Sequence, residues 1–231
     1  MHPKLGFILM LHRVVEQRSE GENRELEVTP QYLEQTIEDY RRQGYRFVTI
    51  DEACDIMQKN TPPCPPQGGK KGRFVCLTFD DGYRDTYITA LPLLKRLNIP
   101  FAVYVSTGFI DNELPMWWYP NEKLGLSKEE LIALDAEPLS TIGAHTISHP
   151  RLSTLTEEDM RKEIVESKHR LEEILGHPIK HFSYPHGDYN TATLQVVKDA
   201  GFSSALKAWG GNIREGDASP FELPRIELKE P

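Results

Sequence analysis

The sequence predicts an α/β protein, a distorted or incomplete (β/α) TIM-like barrel, and three observations predict it. Strand-like and helix-like segments alternate about seven times, which implies parallel strands wrapped by helices. No internal break divides the 231 residues, so residues 1–231 read as one domain. A regular eightfold barrel runs to about 250 residues, so a shorter chain implies an incomplete one. The competing open doubly wound sheet lacks its signature, a GxGxxG turn after the first strand.

"GFILML" (6–11) is a short apolar run that reads as the first strand. The segment "TPQYLEQTIEDYRRQG" follows as a helix, with Thr29 as cap, Pro30 in the first turn and Gly44 as the stop. "RFVTI" (46–50) predicts a strand and "DEACDIMQ" a helix, whereas the prolines and glycines of "NTPPCPPQGGKKG" (60–72) allow neither. The chain resumes with a strand "RFVCLTF", a helix ending near "LLKRLN" and a strand "FAVYVST" (101–107) of β-branched and aromatic residues. Residues 108–138 read as an excursion from the scaffold, holding "MWWYP" and a short helical "SKEELIAL". "STIGAH" (140–145) is the next strand, and Thr156 with Asp159 predicts a capping box for a helix that Gly176 ends. Met160, Ile164, Leu171, Ile174 and Leu175 form its apolar stripe. "HFSYP", a helix ending near Ala200, "FSSAL" and "LPRIEL" complete the alternation.

Composition excludes several classes of function. With 39% hydrophobic and 27% charged residues the chain is globular, and 27 Lys+Arg against 35 Asp+Glu give a net charge of −8. No basic run exceeds "KKGR", so neither nucleic acid nor an anionic membrane is expected as a partner. Cys54, Cys64 and Cys76 lack CxxC spacing and predict reduced, structural thiols. The start shows no signal-peptide pattern, and no apolar run reaches the roughly 20 residues of a membrane helix. A cytoplasmic protein without an integral membrane segment is the expectation, and an extracytoplasmic one stays open if the chain has been trimmed.

In parallel α/β folds the chemistry gathers where strands end. His12 follows the first strand, Asp80 and Asp81 follow "FVCLTF", His145 ends "STIGAH" with His149 four residues on, and "YPHG" follows "HFS". Adjacent carboxylates repel unless a cation neutralises one or a proton is kept. Asp81, His145 and His149 supply one carboxylate and two imidazoles, enough to hold a catalytic Zn²⁺ with a position left for water. The HxxxH spacing puts both rings on one side if helical, although Pro150 favours a loop or a single turn. Each piece has a bland reading, a turn with a helix cap or two surface histidines, and their conjunction after strands of one scaffold is what carries weight. Non-haem iron(II) takes a similar ligand set, but here Asp80 is left over. A free carboxylate beside a cation-activated water suits hydrolysis.

"TFDDG" (78–82), "HTISH" (145–149) and "FSYPHGDYN" (182–190), in that order, resemble the polysaccharide deacetylases, the NodB-homology or carbohydrate esterase family 4 proteins. The resemblance covers most of the chain. It implies a metal-dependent hydrolase that removes N-acetyl groups from a GlcNAc-containing poly- or oligosaccharide on a distorted (β/α) barrel. Asp80 is then the general base, and Asp81, His145 and His149 hold Zn²⁺, with Co²⁺, Ni²⁺ or Fe²⁺ as alternatives. In the turn Tyr184-Pro185-His186-Gly187, which implies substrate contacts, the backbone N–H of His186 would meet the oxyanion.

Two departures from the family pattern matter. Ser183 stands where many members carry the arginine that orients the base, and "LPRIEL" has no histidine to act as general acid. The sequence resembles instead the branch acting on poly-β-1,6-GlcNAc, in which a histidine of an early "YHR"-like segment faces the site. That implies His12 as general acid, and Arg225 as a substitute orienter of Asp80. Trp117 and Trp118 suit stacking on sugar rings. Three alternatives stay open: an O-acetyl esterase, a hydrolase of small cyclic amides, and a catalytically silent glycan-binding module.

Overall fold

The computed structural model describes residues 4–59, 73–214 and 219–231. The Pro/Gly-rich stretch 60–72 with Cys64, and His2, lie outside them. The strands are β1 (Lys4–Leu11), β2 (Arg13–Val14), β3 (Glu27–Val28), β4 (Tyr45–Val48), β5 (Arg73–Phe79), β6 (Phe101–Val105), β7 (Ser140–Ala144), β8 (His181–Ser183), β9 (Ser204–Leu206), β10 (Ile213–Arg214) and β11 (Arg225–Glu227). The helices are α1 (Pro30–Arg42), α2 (Ile50–Lys59), α3 (Leu91–Leu97), α4 (Lys128–Asp135), α5 (Glu157–Leu175) and α6 (Thr191–Asp199).

β1 and β5 pair in parallel from Gly6 against Phe74 to Leu11 against Phe79 and form the spine of the sheet. β5 gives its first half to β4 and its second half to β6 along the other edge, and parallel pairing continues through β7 and β8 to β9. On the far side of β1, antiparallel β10 takes the beginning of the strand and parallel β11 takes Ile8–Met10. The sheet curls, and a parallel bridge from Leu206 to Leu223, just before β11, brings its two ends together. The result is the distorted, incomplete (β/α) barrel expected from the alternation. No helix intervenes between β9 and β11 among the described residues.

Alternation along the strands sorts the side chains. Phe7, Leu9, Val75, Leu77, Phe101, Val103, Phe182 and Ala205 face outward into one core with Leu33 and Ile37 of α1, Leu94 of α3 and Ile164 of α5. Ile8, Phe74, Cys76, Ala102, Tyr104 and Leu206 belong to a second, inner core, where Ile50, Ala53, Ile56 and Met57 of α2 join them. The inner parity holds Thr78 in β5, Ser183 in β8 and Arg225 in β11 and, one residue past β1, β5 and β7, reaches His12, Asp80 and His145. One geometric rule thus sends six polar side chains to one end of the barrel. Of the cysteines, Cys54 and buried Cys76 carry free thiols.

Local boundaries follow capping chemistry. Thr29 accepts from Tyr32 N at 3.2 Å and starts α1. β4 stops at Val48, short of the expected residue 50, because Thr49 and Glu52 exchange reciprocal hydrogen bonds and open α2 at Ile50. The capping box expected at Thr156 is only half made. Asp159 N donates to Thr156 Oγ1, but the aspartate side chain accepts from that hydroxyl rather than reaching the cap's N–H. Glu130, one methylene longer, completes the box with Ser127 at α4. Between β5 and α3, a π-helical turn over Thr86–Ala90 takes the first part of the predicted helix.

Gly143 lets the Tyr104 ring cross the barrel interior, since a Cβ there would meet that ring at 2.5 Å and His181 O at 3.0 Å. Gly143→Ala should therefore cost about 1–3 kcal/mol through overpacking. It would be read as a lower urea midpoint with an unchanged slope, and an unaltered midpoint would contradict this packing.

Candidate active site

Asp80 lies 3% exposed where β5 ends. Its carboxylate receives both arms of Arg225, Nη1 to Oδ1 at 2.7 Å and Nη2 to Oδ2 at 2.6 Å. The guanidinium, 1% exposed, also donates to Ser183 Oγ at 2.9 Å, Thr78 Oγ1 at 3.3 Å and Lys207 O at 3.0 Å. Ser183 in turn donates to Asp80 Oδ2 at 3.3 Å. Burial pushes the Asp80 pKa up, yet Arg225, aided by His145, outweighs it and holds the carboxyl below its usual range. Asp80 is thus an ionised carboxylate held in a fixed plane by a bidentate cation.

Asp81 would face outward by strand alternation. Its left-handed backbone, φ 73°, followed by Gly82 at φ 80°, turns the side chain back toward the site. Oδ1 lies 3.4 Å from His145 Nε2 and 3.3 Å from His149 Nε2. The two histidines sit on a loop rather than a helix, with Thr146 at φ 68° and His149 at φ 61°. His145 Nδ1 is 2.8 Å from Ser183 O. A carbonyl only accepts, so Nδ1 carries the hydrogen and the neutral ring presents its Nε2 lone pair.

This donor set fits a divalent cation. One ligand atom each from buried Asp81, His145 and His149 falls within 4.8 Å of the others, and among the described residues it is the only such group. Asp81 Oδ1 is buried without a hydrogen-bond partner, which is costly unless a cation completes it. Charge balance points the same way, because two buried carboxylates face one guanidinium. Burial lowers the His149 pKa to about 3, with His145 and His186 adding to the effect, which leaves a neutral ligand. Burial also opposes charge on His145, but Asp80 and Asp81 outweigh it and raise that pKa, so the pocket attracts one more positive charge. One carboxylate with two imidazoles is chemistry that zinc and its neighbours accept.

A cleft of about 280 Å³ opens above these groups and is lined by His12, Asp80, Asp81, His145, His149, His186, Gly187, Tyr184 and Arg225. Trp117, 62% exposed, and Trp118 form one wall. The His149 ring packs 4.9 Å from Trp118 and 4.4 Å from His186, and Trp118 Nε1 donates to Tyr83 OH at 2.6 Å. His186 has φ 58°, and burial with help from Arg151 lowers its pKa. The Tyr184 ring is buried, stacked on Tyr189, with its hydroxyl on Phe221 O at 3.1 Å. Pro185 is buried in the turn and does not line the cleft.

Sequence reasoning missed three features. Trp209, also 62% exposed, lines the cleft, and a Cβ on Gly187 would strike Ala208 N at 2.9 Å, so that glycine lets the two segments meet. A tryptophan followed by two glycines was the one local sign, and it does not tell whether the ring is exposed. Arg13, beside His12, is gripped by Asp85 at 2.8 Å and Glu27 at 3.1 Å and lies over the Tyr83 and Tyr119 rings. The third is Glu163, which holds the histidine loop through three hydrogen bonds. Neither contact leaves a local pattern in the sequence.

Comparison with known proteins agrees with this geometry. Residues 67–205 match the family model described as polysaccharide deacetylase. YxkH of Bacillus subtilis, whose name puts it with the polysaccharide deacetylases, is 27% identical over 221 residues, covering 96% of this chain and 70% of that protein. The poly-β-1,6-N-acetyl-D-glucosamine N-deacetylase of Staphylococcus aureus strain N315 is 27% identical over 177 residues, 70% of this chain and 58% of its own length. The chain therefore spans little more than half of that relative. IcaB from Ammonifex degensii superposes with a TM-score of 0.81 and 25% identity, covering 99% of this chain and 93% of its own.

Removing Arg225 strands a buried carboxylate, so Arg225→Met should destabilise by about 3–5 kcal/mol, a fall of order 10 °C in Tm. Adding Asp80→Asn should recover part of the loss. Because the folded pKa of Asp80 is depressed, this contribution is complete above about pH 4. It is lost as pH falls through the lowered value. Thermal melts of both variants between pH 3 and 7 check this, and additive losses would contradict direct coupling.

Proposed function

The chain belongs to the polysaccharide deacetylase family, and we propose that it hydrolyses N-acetyl groups on a GlcNAc-containing glycan. The observation that carries this reading is the division of labour between neighbouring aspartates. Asp80 is fastened to Arg225, while Asp81 sits with two imidazole nitrogens at the floor of an aromatic-walled cleft. The relative named for poly-β-1,6-N-acetyl-D-glucosamine supports that polymer class as substrate.

Asp81, His145 and His149 would hold the divalent cation, with Zn²⁺ first in order. Bound there, it would supply a Lewis acid that polarises the acyl oxygen and acidifies a water. Asp80 accepts the proton of the attacking water. Arg225 keeps that carboxylate ionised and its plane fixed, the task the absent arginine at position 183 leaves open. The backbone N–H of His186 donates to the acyl oxygen as it gains charge. His12, in the same cleft, protonates the departing amine. Trp117 and Trp118 present flat faces to the sugar rings, and acetate and a free amine are the products.

An acetate-release screen over defined N- and O-acetylated saccharides, run with several divalent ions, tests the proposal. Release from N-acetylated β-1,6- or β-1,4-linked oligomers should fall by about 10²–10⁴-fold in Asp80→Asn and markedly in His12→Ala. Arg225→Lys should move the acid limb of kcat/KM to higher pH, because weakening the ion pair leaves burial to raise the Asp80 pKa. Metal-loaded protein inert toward every N-acetylated sugar would sink the proposal, and release from O-acetylated xylan alone would reassign the protein as an esterase.

A further inference from the structure

The loop that carries both histidines is clamped from two sides. On one side Thr107 N and Gly108 N donate to the carbonyls of Thr146 and Ile147 at 3.0 and 2.8 Å. On the other, Glu163 Oε2 accepts from Ile147 N at 2.8 Å and Ser148 N at 3.0 Å, and Oε1 accepts from Ser148 Oγ at 2.6 Å. Consecutive amides that converge in this way form an anion-binding concavity, filled here by a carboxylate of the same chain. Met160 and Ile164, buried on either side of Glu163, hold α5 against the barrel.

This clamp bears on His149 more than on His145. The His145 ring is fixed through Nδ1 on Ser183 O, whereas His149 Nδ1 is buried with no hydrogen-bond partner. The direction of His149 Nε2 therefore depends on its backbone and on the neighbouring rings. That backbone is left-handed, as is that of Thr146, and such conformations cost about 1–3 kcal/mol each unless their surroundings impose them. His149 N donates to Thr146 Oγ1 at 3.1 Å, so the two strained residues are linked across the pair of amides that Glu163 grips.

We propose that Glu163 is a positioning residue of the cation site: by holding the amides of Ile147 and Ser148 it sets the separation and direction of the two imidazoles. The inference rests on the cation reading of Asp81, His145 and His149. Glu163 contributes no ligand atom. It acts through the backbone between two ligands, and outer partners of metal ligands typically govern affinity by about 10–100-fold.

The test is a titration of metal-free protein with Co²⁺, read by its visible absorption and by chelator competition, at a temperature where every variant is folded. Glu163→Ala should raise the Kd for Co²⁺ by about 10–100-fold and alter the Co²⁺ spectrum. Glu163→Gln should recover most of the affinity, because its amide oxygen can accept from both N–H groups while Ser148 turns to accept. Ser148→Ala, which removes only the Oε1 contact, should give a smaller rise and keeps the test open if Glu163→Ala fails to fold. A Kd within twofold of the parent in Glu163→Ala, or in Ser148→Ala where that variant stands alone, would overturn the inference. A lowered Tm with unchanged Kd would overturn it too, since Glu163 would then serve the fold only. Parent protein that binds no Co²⁺ would instead sink the cation reading itself.

Discussion

Two carboxylates on consecutive residues, each 3% exposed, can both be ionised only where matching positive charge is held beside them. The rest of the structure is arranged around that requirement. Asp80 has its partner built in, the guanidinium of Arg225 from the last strand. Asp81 faces two imidazole nitrogens instead, and the φ of 73° that turns it inward is what separates its surroundings from those of its neighbour. Identical side chains one residue apart thereby acquire different chemistry. One becomes a fixed anion and the other a candidate ligand.

Much of this was legible in the sequence. Parallel strands in an incomplete barrel follow from the alternation of apolar runs and capped helices, and strand parity points His12, Asp80 and His145 into one end of it. The grouping of Asp81, His145 and His149 was readable from residue chemistry, because carboxylate and imidazole after strand ends are informative types in an informative place. Helix starts were readable where a side chain contacts its own next turn, as at Thr29. Where reach decides the outcome, as with Asp159 against Glu130, the residue class alone was too coarse.

Long-range contacts were harder to read. Arg225 could be proposed as a partner for Asp80 only because a family resemblance exposed a missing arginine, since no local rule links residues 145 apart. Glu163 looked like any polar position on an amphipathic helix. Its task depends on the loop that packs over it, which no periodicity encodes. Arg13 is the same case, a cation whose two carboxylates arrive from separate segments. Trp209 was hidden for another reason, since exposure of a large apolar ring is a tertiary property.

The placement of Arg225 on β11 has a consequence for how the molecule comes into being. The spine strands and helices that enclose Asp80 are synthesised well before residue 225 leaves the ribosome. Until then Asp80 has no guanidinium beside it, and closing the barrel around it would bury an unmatched carboxylate. β11 thus completes the charge balance of the barrel interior, and a chain halted before it would carry Asp81, His145 and His149 but leave Asp80 without its guanidinium.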